Sequence, residues 1–177
     1  EAFEHAEFAL KSGGTDNSSI RGYEARMHDS IIGRNELEKE LALAIDNNEL
    51  QLFYQPKIDL STGKIMGVEA LIRWIKPDGT IIRPDVFVPV AESSHLIGKI
   101  SEFVLNEGCR QNKLWQKMGY PEIVMSINFT STDFYQKDLK DKVFETLAKT
   151  GLDAKWLEVE LTETLALSDI DYAVSQM

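Results

Sequence analysis

Glu69 and Arg73 stand in the otherwise apolar run Gly67-Val68-Glu69-Ala70-Leu71-Ile72-Arg73-Trp74. A carboxylate can ligate a hard cation, and a guanidinium presents a planar fork of donors that matches a pair of phosphate oxygens. Read as a strand, the run puts Glu69, Leu71 and Arg73 on one face and Val68, Ala70, Ile72 and Trp74 on the other. The same division recurs downstream. In Ile123-Val124-Met125-Ser126-Ile127-Asn128 the polar face carries Ser126 and Asn128, and in Leu157-Glu158-Val159-Glu160-Leu161 it carries Glu158 and Glu160. The carboxylates of Glu69 and Glu160 with the amide carbonyl of Asn128 form an oxygen set suited to Mg²⁺ or Mn²⁺; without His or Cys, zinc and copper match less well. With Arg73 alongside, the set suggests metal-assisted chemistry on a phosphate ester. Two plainer readings stand beside it. Glu69 and Arg73 could form a structural ion pair, since buried charges are normally paired whatever their purpose. Glu158 and Glu160 could be solvated strand-end residues, with Asn128 a turn former.

The elements that must position these residues alternate. Residues 51–60 and 65–74 read as strands joined by the tight turn Ser61-Thr62-Gly63-Lys64, an antiparallel hairpin. A loop with Pro77-Asp78-Gly79 leads to a short helix or turn at 84–92 and a long helix at 96–118, whose apolar positions include Ile100, Phe103, Val104, Leu114 and Met118. A strand at 122–129, a helix at 133–149 closed by Gly151 and a strand at 156–161 follow. Strands separated by helices of this length imply crossovers and a mostly parallel sheet. If that sheet curls into a barrel, the polar faces turn inward and meet at the carboxyl ends of the parallel strands. Upstream, residues 2–10 show helical spacing stopped by Gly13-Gly14, and 15–19 form a polar linker. Tyr23, Met27 and Ile31 mark a second short helix; Asn35 and Glu38 form a capping-box pattern opening a third, with Leu37, Leu41, Ala44 and Ile45 as its buried stripe.

Composition sets the bounds. A chain of 177 residues, 43% hydrophobic, can bury one substantial core. A formal charge of −10 and no basic stripe argue against a nucleic-acid polymer as partner. The single cysteine, Cys109, excludes an internal disulfide framework and fits a reducing compartment. With no apolar run near the ~18 residues of a membrane span and no signal peptide, the expectation is a cytoplasmic, soluble chain, or the cytoplasmic part of a longer sensor protein, without membrane contact in this segment. His5, His28 and His95 share no ligand spacing and read as surface or loop residues; Trp115 and Trp156 read as core or interhelix packing, and Glu92 as structural support near the mouth.

Five segments, Phe53-Tyr54-Gln55-Pro56, Glu69-Ala70-Leu71-Ile72-Arg73-Trp74, Phe87-Val88-Pro89-Val90-Ala91-Glu92, Ser126-Ile127-Asn128-Phe129-Thr130 and Glu160-Leu161-Thr162-Glu163, resemble in this order the first half of an EAL domain. That family comprises bacterial phosphodiesterases that hydrolyse cyclic di-GMP to linear pGpG. The resemblance implies an α/β, TIM-barrel-like (β/α)8 fold with an antiparallel first strand, of which about four strands, half the barrel, are present. His5-Ala6-Glu7-Phe8-Ala9-Leu10 further resembles the closing helix of a GGDEF domain. The implied layout is a GGDEF-like tail at 1–14, a linker at 15–34 and a truncated EAL domain at 35–177.

By the same resemblance Glu69, Asn128 and Glu160 are metal ligands of a two-metal Mg²⁺ or Mn²⁺ site. Arg73 takes a substrate phosphate, Gln55 contacts the dinucleotide and Leu71 lines the pocket floor. Glu163, grouped with Glu69 as a catalytic position, steadies a later active-site loop rather than touching the metal. The family pattern continues past Met177 with an Asp pair, a Lys and a Glu. The expectation is therefore a fragment, or a half barrel that associates with a second copy or with the remaining half. Such a half would expose an apolar inner face and two sheet edges and hydrolyse little or no cyclic di-GMP alone. The alternatives are a non-catalytic cyclic di-GMP receptor and a dimerisation module.

Overall fold

The computed structural model describes residues 25–136 and 138–161. Helix α1 (Ala25–Asp46) enters strand β1 (Leu50–Ile58) through Asn48, at φ 59°, a left-handed position that asparagine tolerates. Strand β2 (Ile65–Ile75) returns antiparallel, and the short β3 (Ile81–Ile82) pairs with its far end. Helices α2 (Pro84–Ser93) and α3 (Ile97–Lys117), strand β4 (Val124–Phe129), the single-turn α4 (Ser131–Phe134), helix α5 (Leu139–Thr150) and strand β5 (Leu157–Leu161) complete the order. The sheet runs β1-β2-β4-β5, with β3 beside β2; β2, β4 and β5 are parallel. Among the described residues the sheet is open, a partial TIM-type barrel with its antiparallel strand first.

The helices cover one face. Met125, Ile127 and Phe129 of β4 and Val68, Ala70 and Trp74 of β2 are buried there against Leu41 and Ala44 of α1, Phe87 and Ala91 of α2, and Ile100, Val104 and Cys109 of α3. Trp74 is 1% exposed; it meets Phe87 edge-on at 6.0 Å, and its indole N–H donates to Glu49 Oε2 at 3.0 Å. Trp115 packs on Tyr54 in the same manner, with ring centroids 4.8 Å apart. Asn112, fully buried on α3, donates from Nδ2 to the carbonyls of Ile123 at 3.0 Å and Trp156 at 3.1 Å, joining the starts of β4 and β5 to the helix.

Three expectations are corrected. Asn35 does not cap a new helix, because α1 passes through it without a break. Extending an existing helix avoids a second unfavourable nucleation, and no proline interrupts the run. The helix expected at 133–149 is two helices. Asp133 occupies the third position of α4, where its Oδ2 accepts from the backbone N–H of Thr130 at 3.0 Å and its hydroxyl at 2.7 Å; this capping box starts α4, and α5 restarts at Leu139. The sheet face away from the helices is not apolar: Gln55, Lys57, Glu69, Arg73, Ser126, Asn128, Glu158 and Glu160 share it with few apolar side chains, Phe53 and Leu71 among them.

Burial pushes the Cys109 thiol up to about 12, and the thiolate is the reactive form. The peptide carrying Cys109 is therefore expected to stay unalkylated when the folded protein meets iodoacetamide at pH 8 and to be labelled in denaturant. Rapid native labelling, read by mass spectrometry, would contradict this packing.

Candidate functional site

Glu69 lies between Gln55 of β1 and Ser126 of β4 in the strand register, and the next pair places Asn128 of β4 beside Glu160 of β5. Asn128 Nδ2 donates to Glu69 Oε1 at 2.6 Å. Residues far apart in sequence thus meet near the carboxyl ends of β4 and β5, where parallel barrels carry their chemistry. Leu71, half-buried, faces Phe53 across the β1–β2 pair. Arg73 shares the face further along β2; its Nη1 donates to the carbonyl of Ile72 at 2.7 Å. Among the described residues it makes no ion pair with Glu69, so the structural pairing does not form. Gln55 and Glu92 are exposed. Glu163 and His5 lie outside the described residues, as do residues 1–14.

A second cluster was not anticipated from sequence. Lys57 of β1 donates from Nζ to Ser126 Oγ at 2.6 Å, to Glu158 Oε1 at 3.2 Å and to Glu160 Oε1. Ser126 Oγ in turn donates to Glu158 Oε1 at 2.7 Å. The bond to Glu160 holds the Lys57 ammonium above the usual lysine range. The Ser126 hydroxyl, and after it Lys57, hold the Glu158 carboxyl below the usual carboxylate range. The available signal was strand parity, which puts Lys57 on the face of Gln55.

The donor set fits a hard divalent cation in chemistry. Among the described residues Glu69 Oε2 and Asn128 Oδ1 receive no hydrogen bond, leaving oxygen lone pairs at the meeting point. Among the same residues no three His, Cys, Asp or Glu side chains gather as a metal cluster. The third donor here is the amide of Asn128, and Glu160 joins through its place beside Asn128 in the sheet.

Residues 38–175 match the EAL domain family. The chain belongs to that family. This EAL domain is 36% identical over 149 residues to the bifunctional diguanylate cyclase/cyclic di-GMP phosphodiesterase MucR of Pseudomonas aeruginosa, covering 84% of the chain and 22% of that protein. It is 31% identical over 139 residues to the cyclic di-GMP phosphodiesterase NbdA of the same organism, covering 78% of the chain and 18% of NbdA. Among solved structures, the MucR phosphodiesterase in complex with cyclic di-GMP superposes with a TM-score of 0.76 at 36% identity, over 79% of this chain and 57% of that one. The EAL chain thus spans about a fifth of these two relatives' full lengths. Among its described residues no helix is long and apolar enough to cross a membrane.

Proposed function

We propose that the protein containing this EAL domain hydrolyses cyclic di-GMP to linear pGpG in a metal-dependent reaction. The observation that supports this most is the contact of Asn128 with Glu69 at 2.6 Å, with Glu160 in the adjoining strand position, in a family whose relatives bear phosphodiesterase names. Glu69, Asn128 and Glu160 would hold Mg²⁺ or Mn²⁺, two ions in the complete domain. Bound there, such ions act as Lewis acids on a phosphoryl oxygen and lower the pKa of water. The chain's own groups do the rest. Arg73 offers its fork to a phosphate, Leu71 supplies an apolar floor, and Gln55 reaches the dinucleotide from β1. Glu163 would steady a neighbouring loop. A chain of net charge −10 repels a phosphodiester, and Arg73 with the cations reverses that locally.

Mg²⁺ keeps several waters among its six ligands, so Glu69, Asn128 and Glu160 suffice for one ion, whereas the second ion of a two-metal site needs ligands beyond these three. The 177 residues alone are accordingly expected to turn over little nucleotide, with further ligands coming from the rest of the barrel. Residues 1–14 would end a GGDEF-like neighbour, a layout that MucR's bifunctional name parallels.

Calorimetry on the full-length protein tests the reading. Wild type is expected to bind cyclic di-GMP and, with Mn²⁺, to release pGpG on chromatography. Arg73→Met should weaken binding roughly 10- to 100-fold, since hydrogen bonds to charged groups contribute about 1.5–3 kcal/mol. Binding without linearisation would instead make the domain a receptor, and no binding would leave a dimerisation module.

A further inference from the structure

Lys57 of β1 reaches across the sheet. Its ammonium has crossed a strand: β1 and β4 lie on opposite sides of β2, two strand spacings of about 4.8 Å each, yet Lys57 Nζ ends on Ser126 of β4 and on Glu158 and Glu160 of β5. Between the two strands in the register stands Gly67, the partner of Lys57 on β2 and in turn of Val124 on β4. Gly67 is buried, and a Cβ there would stand 2.9 Å from the Val124 carbonyl oxygen. The register position between Lys57 and Val124 thus carries no side chain, and the Val124 carbonyl leaves no room for one. Ser126, fully buried, serves both groups, accepting from Lys57 and donating to Glu158.

We propose that Lys57 is a positioning residue for Glu160, its ammonium holding Oε1 of that carboxylate so that the other oxygen stays aimed toward Asn128 and Glu69. The inference rests on the reading of Glu160 as a cation ligand. Carboxylates that bind metals are themselves oriented by hydrogen bonds, and loss of such a partner typically weakens metal binding 10- to 100-fold. Here the orienting donor comes from the antiparallel strand, which gives β1 a part in the site beyond Gln55. Without Lys57, Glu158 and Glu160 would face each other uncompensated, and Glu160 would be free to turn away.

Mn²⁺ binding to the full-length protein, read from the electron paramagnetic resonance of free Mn²⁺, tests this without reference to turnover. Lys57→Met is expected to raise the apparent Kd at least 10-fold and Lys57→Arg to restore most of the affinity. Lys57→Met on top of Glu160→Gln should add little to the loss from Glu160→Gln alone, because the lysine acts through that carboxylate. Ser126→Ala, which removes one bond to the ammonium, should shift Kd less and in the same direction, and it carries the test if Lys57→Met does not fold. Unchanged or tighter Mn²⁺ binding in Lys57→Met or Ser126→Ala, as a merely competing ammonium would give, overturns the proposal while Glu160→Gln still impairs binding. Unchanged binding in Glu160→Gln overturns the ligand reading itself, and this inference with it.

Discussion

Glu69→Gln in the full-length protein is expected to lower cyclic di-GMP turnover about 10³-fold, with folding retained. The substitution keeps the shape of the side chain and can still pair with Asn128, which Glu69 now meets at 2.6 Å. What it removes is the negative charge beside the amide. Metal stabilisation of transition-state charge contributes several kcal/mol, and each 1.36 kcal/mol is tenfold in rate, so loss of one anionic ligand reaches the thousandfold range. The measurement is pGpG formation at saturating Mn²⁺, with thermal unfolding of wild type and variant run alongside. A variant that keeps more than a tenth of wild-type turnover would remove Glu69 from the chemistry and return it to the role of a strand residue.

Trp74→Ala should produce a large loss of stability. The ring is 1% exposed, rests on Phe87 and hydrogen-bonds Glu49 through its indole N–H. Its removal empties the junction where β2 meets α2. Truncating a buried Trp costs about 3–5 kcal/mol, against total stabilities of about 5–15 kcal/mol. In a domain of this size that lowers Tm by roughly 6–20 °C, visible by circular dichroism. Trp74→Phe keeps most of the packing and should lose much less. An alanine variant within about 2 °C of wild type would mean that Trp74 does not anchor the core. Because Arg73 adjoins Trp74 in the chain, the alanine variant is also expected to bind nucleotide poorly, for want of a fixed strand rather than of a phosphate contact.

The parts of this molecule that could be read in the sequence are those written in strand parity. Met125, Ile127 and Phe129 against Ser126 and Asn128 leave one orientation of β4 that buries apolar surface, and the same logic orients Glu69 and Glu160. Two features escaped because they depend on how elements meet in space, and a third because its local signal admits two outcomes. Lys57 reaches Glu160 across two intervening strands, a contact that appears only once β5 has joined the sheet. Asn112 finds the Ile123 and Trp156 carbonyls only once α3 lies over the strand starts. Asp133 could cap or continue a helix on local grounds alone, and its bonds to Thr130 decide the matter. Asn35 shows the converse: a locally valid capping signal is overridden when the surrounding helix simply continues.

The turn between β1 and β2 is wound tightly around Asp59, whose Oδ1 accepts from the backbone N–H of Ser61 at 2.8 Å, and the pairing shifts between Lys57 and Ile58. A neighbouring hairpin closes at far lower loop entropy than the crossover that brings Gly67 to Val124. The phase of β2 can therefore be set by its own turn before any parallel strand arrives. A slip of one residue at that stage would send Glu69 and Arg73 under the helices and raise Val68 and Ala70 in their place. The turn and the irregularity after Lys57 thus set, within one local hairpin, which way Glu69 and Arg73 face.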